Sequence, residues 1–186
     1  KVYRSTSQKG TYSLLGATDA TSYTNTGAVT GILYYYKVIA VSASGLASGY
    51  SNLISRTCDL PRPAVTSGNS AVSGKPTLSW KAVENATEYR IYRATGENGE
   101  YALINTTTAT AYTNTGAEAG VTYYYKVMAI HSNSDANSAY SAVVSRTCDL
   151  VKPTVTAGNS EVSGKPSFSW KAVAGAERYR IYGATS

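Results

Sequence analysis

The chain has 186 residues, 42% hydrophobic and 15% charged, and its 17 basic and 11 acidic side chains give a net charge of +6. That composition suits a folded protein of one or two domains, and no stretch approaches the roughly 18 apolar residues of a membrane helix. The basic residues are scattered rather than clustered, which argues against a nucleic-acid patch.

Tyrosine dominates the aromatic residues, with 17 Tyr against one Phe and two Trp. Tyrosine fits a half-buried pleated surface while keeping a polar tip in water, so the bias points to β-structure with thin cores. The opening "KVYRSTS" has no initiator Met, no signal peptide and an immediate strand-like pattern. It predicts that the chain is a piece of a longer polypeptide.

Self-similarity sets the organisation. The segment from Val2, "VYRSTSQKGTYSLLG…LYYYKVIAV", aligns without a gap to the segment from Ile91, "IYRATGENGEYALIN…TYYYKVMAI". After one inserted residue, "YSNLISRTCDL" from Tyr50 matches "YSAVVSRTCDL" from Tyr140, so the repeat is 89 to 90 residues long. That length suits an autonomous small domain. Trp80 and Trp170 are equivalent, and Lys1 corresponds to Arg90 and Arg180. The expected division is a module lacking its first strands at 1–60, a complete module at 61–150, and the first strands of a third at 151–186.

In the complete module, short alternating runs between turn residues predict seven strands of an all-β sandwich. They are "AVTSG" from Ala64, "PTLSWKAV" from Pro76, "TEYRIYRA" from Thr87, "GEYALINT" from Gly99, "TAYTNT" around Tyr112, "VTYYYKVMAIH" from Val121 and "YSAVVSRT" from Tyr140. The "YR/YG" strand recurs at both chain ends, around Tyr3 and Tyr182.

The order P-x-L-x-W (Pro76, Leu78, Trp80), A-x-x-Y-x-I-Y-R (Ala86 to Arg93), Y-x-Y-x-V-x-A (Tyr123 to Ala129) and Y-S-x-x-V (Tyr140 to Val144) resembles fibronectin type III domains. Counting the partial modules, the resemblance covers the whole chain and is similar in style to tandem modules of bacterial surface and secreted proteins. It implies tandem seven-stranded Greek-key β-sandwiches, immunoglobulin-like in architecture, with a spacer or adhesive role and no catalytic residue. It also places Tyr34 and Tyr123 at a tyrosine corner, whose hydroxyl bonds back to nearby backbone.

Alternation then sorts the three consecutive tyrosines. Tyr123, Tyr125, Val127 and Ala129 are predicted to face inward with Trp80 and Ile91. Tyr124, Lys126, Met128 and Ile130 are predicted to face solvent beside Arg90 and Tyr92. Tyr and Arg often anchor interfaces, so Arg90, Tyr92, Tyr124, Lys126 and Met128 form a candidate interaction face for a sugar or a protein. Cross-strand Tyr–Lys and Tyr–Arg packing with nothing bound is the simpler reading of the same residues.

Other motifs carry little chemistry. "GNSAVSGKP" from Gly68 has five residues between glycines where a phosphate loop needs four, and Pro76 replaces the required Ser or Thr, so it reads as a turn. His131 is the only histidine, with Ser42 in its place in the first copy, and a lone histidine builds neither a triad nor a metal site. Glu84, Glu88, Glu97 and Glu100 have no acidic counterparts in the other copies and read as solvated surface. No catalytic residue, cofactor or metal is expected.

Cys58 and Cys148 occupy equivalent "SRTCDL" sites. One module length, roughly 30 Å, would separate them, whereas a disulfide needs Cα atoms within about 7 Å. They are candidate inter-chain thiols or small buried hydrophobes. The joints "CDLPRP" and "CDLVKP" are short and proline-containing, as stiff spacers are, with Leu60 and Leu150 placed to fill the seams.

The expected function is a non-catalytic structural or spacer array in an extracellular or cell-surface protein or fibre, bacterial in style. The alternative is an adhesive module binding carbohydrate or protein through the outward face. Expected partners are neighbouring modules and other copies in a fibre, with neither nucleic acid nor membrane insertion. If the polypeptide begins at Lys1, its incomplete ends would complement one another between chains as a head-to-tail fibre.

Overall fold

Alternating apolar and polar residues become strands wherever the sequence also supplies a partner for the ladder. The computed structural model describes residues 1–184, and the last two residues of the predicted 151–186 segment lie outside it. The protein is all-β, with a single 3₁₀ turn at Ser134–Ala136 among the described residues. None of the described helices is long and apolar enough to cross a membrane. Two compact units are present and are described in turn.

The first unit comprises Lys1–Pro63, Ala82–Tyr89 and Met128–Tyr140. Its sheet is built from β1 (Val2–Ser5), β2 (Ser13–Gly16), β3 (Leu33–Val38) and β4 (Ile54–Thr57) in the order β2-β1-β3-β4. All neighbours are antiparallel, with Val2 opposite Val38 and Tyr34 opposite Arg56. Val2, Tyr34, Leu60, Tyr89, Ala129, Ile130 and Ala136 are its buried apolar residues.

The second unit comprises Ala64–Lys81, Arg90–Val127 and the chain from Ser141 onward. It opens with a hairpin of β5 (Val65–Asn69) and β6 (Pro76–Trp80), Val65 opposite Trp80 and Asn69 opposite Pro76. Strand β9 (Ala111–Thr113) adds to β6, giving the order β5-β6-β9. A second sheet, β11-β10-β7-β8, uses β7 (Glu88–Ala94), β8 (Ala102–Thr107), β10 (Thr122–Ile130) and β11 (Val144–Thr147). The middle repeat therefore carries seven strands in a three-stranded and a four-stranded sheet, and the chain passes between them at β6–β7, β8–β9 and β9–β10. A last hairpin, β12 (Val155–Asn159) with β13 (Pro166–Trp170), reproduces the β5–β6 register residue for residue.

The turn of "GNSAVSGKP" closes by Ser70 N–H donating to Lys75 C=O at 2.8 Å and Gly74 N–H donating to Ser70 C=O at 2.8 Å. Gly74 has φ +64°, which glycine adopts without steric cost. The Lys75 ammonium donates to Ala117 C=O, so the lysine serves the fold rather than an anion.

The predicted "PTLSWKAV" and "GEYALINT" strands form only at Pro76–Trp80 and Ala102–Thr107, and three further runs of strand composition are shortened or not strands for a reason of hydrogen bonding. The predicted "YSAVVSRT" strand forms only at Val144–Thr147. Ahead of it, Val127 N–H donates to Ser141 Oγ at 3.0 Å and Ala129 N–H donates to Ser138 Oγ at 2.9 Å, so hydroxyls replace ladder carbonyls. The first copy repeats this with Val38 on Ser51 and Ala40 on Ser48. Ser141→Ala should strip a buried N–H of its acceptor and cost about 1–3 kcal/mol, read as a lower denaturant midpoint at unchanged m-value.

The "TSYTNT" run of the first copy and the "RIYG" run after Tyr179 are not strands. In the middle repeat their counterparts pair with β6 and β10, and among the described residues no strand pairs with these two runs. For the same reason Val38 is 44% exposed while its equivalent Val127 is 0% exposed.

Candidate functional site

Strand β10 shows why its tyrosines come in threes. Tyr123, Tyr125, Val127 and Ala129 are buried, and Thr122, Tyr124, Lys126 and Met128 between them are half-buried. Strict alternation ends at Ile130, which was predicted to face solvent and is buried. There β10 terminates inside the first unit, with Ile130 C=O accepting from both the N–H and the hydroxyl of Thr87.

The inward side is a polar network built twice. Glu118 N–H donates to the Tyr123 hydroxyl at 3.1 Å, and Val29 N–H donates to the Tyr34 hydroxyl at 3.1 Å, which is tyrosine-corner geometry in both copies. Asn114 Nδ2 donates to the Tyr125 hydroxyl at 2.8 Å, and Asn25 Nδ2 to the Tyr36 hydroxyl at 2.9 Å. Arg93 Nη1 donates to Asn114 Oδ1 at 3.3 Å while its guanidinium lies 4.9 Å from the Tyr123 ring centre. Arg4 does the same with Asn25 at 3.4 Å and Tyr34 at 4.9 Å. The paired tyrosine rings are 6.4 Å and 6.3 Å apart, at tilts of 40° and 41°.

Asn114 is 2% exposed. Its amide joins Arg93, which extends the Tyr89–Ile91 side of β7, to the tyrosines of β10, so one side chain stitches two strands through polar contacts. Sequence reasoning did not single out Asn114, Asn25 or the inward role of Arg93 and Arg4. The available signals were "YTNTG", unchanged at Tyr23 and Tyr112, and the parity of Arg93 with Tyr89 and Ile91.

Burial pushes the Tyr125 phenol up to about 12, only partly offset by the hydrogen bond from Asn114 and the Arg93 charge. The ordinary value is near 10, so the folded protein keeps this proton longer than the unfolded chain does. Stability from this group is intact below pH ~10 and falls as the pH climbs towards 12. A spectrophotometric titration should show a tyrosine fraction that ionises only as the alkaline unfolding transition sets in.

On the outward side, Arg90, Tyr92, Tyr124 and Lys126 lie in the second unit at half-buried positions, and Met128, also half-buried, lies in the first. The Lys126 ammonium sits 3.9 Å from the ring centre of Tyr101, and the Tyr101 hydroxyl donates to Glu97 C=O at 2.9 Å. In the first copy Lys37 lies 4.3 Å from Tyr12 and 5.4 Å from Tyr50, with Tyr3 edge-on to Tyr50 at 5.4 Å. The lysine of "YYYKV" is thus seated on tyrosine in each repeat.

The equivalent cysteines differ. Cys148 is 2% exposed with its thiol directed at Asp149 C=O, whereas Cys58 is half-buried. An inter-chain bond through Cys148 would require its strand end to open first. The two leucines of the joints differ as well, Leu60 being 3% exposed and Leu150 50%.

Seven strands in a three- and a four-stranded sheet, with the tyrosine corner and the Pro-x-Leu-x-Trp to Tyr-x-Tyr-x-Val order, give the middle repeat a fibronectin type III-like fold. No family model matches the sequence. Among curated relatives, the chain is 37% identical over 84 residues to a poly(3-hydroxybutyrate) depolymerase of Ralstonia pickettii, covering 45% of this chain and 16% of the relative. It is 30% identical over 163 residues to exoglucanase B of Cellulomonas fimi, covering 77% of this chain and 14% of the relative. The chain therefore spans about one-sixth or less of the length of these relatives. A solved fibronectin type III-like protein from Clostridium thermocellum is 29% identical with a TM-score of 0.42, over 47% of this chain and 90% of that one.

Proposed function

We propose that the chain is a non-catalytic segment of tandem fibronectin type III modules, divided at 1–60, 61–150 and 151–186, acting as an accessory spacer in an extracellular bacterial protein. The observation that carries this reading is the doubled Arg–Asn–Tyr–Tyr network. The polar chemistry reproduced in both copies points into the modules, where it holds strands together. The outward lysines are likewise occupied by tyrosine rings of the same module. Relatives named as a depolymerase and an exoglucanase, matched over a small fraction of their length, support an accessory role beside catalytic domains.

The alternative gives the outward Tyr/Lys/Arg face a ligand. Binding of the chain to cellulose and poly(3-hydroxybutyrate) particles, before and after Tyr92→Ala and Tyr124→Ala, separates the two. The spacer reading expects no saturable binding to either of them. Saturable binding abolished by these substitutions at unchanged stability would replace it with the adhesive one.

A further inference from the structure

The two copies differ by one inserted residue, and that residue falls in the loop between β10 and β11. The first copy reads "VSASGLASGY" from Val41, and the second reads "IHSNSDANSAY" from Ile130. In the first copy the loop folds on itself, with Ser42 N–H donating to Leu46 C=O at 2.9 Å and Val41 bridging Ala47. In the second copy it becomes the 3₁₀ turn Ser134–Ala136, capped by Asn133, whose Oδ1 accepts from Asp135 N–H at 3.1 Å.

That turn meets the first repeat at three points, all inside the first compact unit. Asn133 Nδ2 donates to Gly31 C=O at 3.1 Å. Leu60 N–H, on the connecting segment, donates to Ala136 C=O at 2.8 Å, and both residues are buried. Gly31 itself, with φ +83°, lies against His131 so closely that a Cβ would stand 2.7 Å from Cε1 of the ring. His131 is held in place in turn, its Nδ1 accepting from Asn133 N–H at 2.9 Å.

We propose that the His131–Ala139 loop is a dedicated docking loop for the preceding module, its occupant being the Gly31 turn of this same chain. His131 and Asn133 align with Ser42 and Ser44 in the first copy, so the loop is specialised by position rather than common to the repeat. Short linkers alone leave modules free to reorient. Here two hydrogen bonds, a buried leucine and a glycine admitting a histidine ring convert the connection into a fixed joint. The inference rests on the spacer reading, for which a fixed joint is the useful property.

Gly120 supplies a control, because it holds the equivalent position in the second copy with φ +82°, and a Cβ there would meet nothing within 4 Å. Alanine at either glycine suffers the same backbone strain, but only at Gly31 does it strike His131. The test is electron–electron spin distance measurement on the full chain carrying Cys58→Ser, with nitroxides at Asp19→Cys and Glu84→Cys, both exposed positions of the first compact unit that belong to different repeats.

The expected result is one narrow distance distribution, unchanged by Gly120→Ala. Gly31→Ala or Asn133→Ala should widen it by about twofold or more, as the default freedom between domains returns. A broad distribution in the unsubstituted joint, or one left narrow by both Gly31→Ala and Asn133→Ala, would overturn the proposal. Asn133 is exposed, so its substitution leaves the fold intact should Gly31→Ala fail to fold. Polymer binding is measured separately, so failure of the joint and failure of the spacer reading remain distinct.

Discussion

Asn114→Ala should lower the stability of the middle repeat by about 2–4 kcal/mol, seen as a fall in guanidinium midpoint. Its side chain accepts from Arg93 and donates to Tyr125, and it is itself buried. Truncation leaves a guanidinium and a phenol without their shared partner, and a hydrogen bond to a charged group is worth about 1.5–3 kcal/mol. The first copy provides an internal comparison. Asn25 makes the same two bonds but is only half-buried, so water replaces what alanine removes. Asn25→Ala should therefore cost under about 1 kcal/mol. Equal losses at the two sites would mean that burial does not govern the network's worth.

Trp80→Ala is expected to have the largest effect, about 3–5 kcal/mol on the same transition. Trp80 is buried in β6, opposite Val65 in the hairpin register. Its equivalent, Trp170, is only half-buried, stacked 6.2 Å from Phe168 and edge-on to Tyr179 at 5.2 Å. Trp170→Ala should move that transition by less than about 1 kcal/mol. Trp170→Ala leaves Trp80 as the single tryptophan, whose fluorescence reports the middle repeat, and circular dichroism follows the transition in Trp80→Ala.

Much of this architecture is legible in the sequence because its signals are periodic. The 89–90-residue repeat and the alternation of "TYYYKVMA" lead directly to the strands and to which tyrosines are inside. What escapes is whatever depends on a partner distant in sequence. Asn114 resembles a turn residue until Tyr125 and Arg93 are brought to it by two strands. The late start of β11 depends on Ser138 and Ser141 offering hydroxyls in place of carbonyls, which β-propensity does not encode. Ile130 breaks alternation because the strand ends within a compact unit rather than at a solvent face. The "RIYG" run keeps strand composition and lacks a ladder partner, so composition alone misleads there.

The outward face shows the converse. Arg90, Tyr92, Tyr124 and Lys126 occupy the parity that alternation assigns them. The Lys126–Tyr101 contact, however, joins residues 25 apart in sequence, and alternation alone does not reveal it. Seating a lysine on a tyrosine ring gives the ammonium a partner within its own sheet face.

The most direct measurement of the central claim, that the closed tyrosine network and two-sheet core of the middle repeat are what this chain is built to maintain, is residue-resolved amide hydrogen exchange. The amides of Ile91, Tyr125 and Val127 should exchange only through global unfolding, whereas those of β1–β4 and β12–β13 should exchange orders of magnitude faster through local opening. Uniform protection across all the strands would contradict this account.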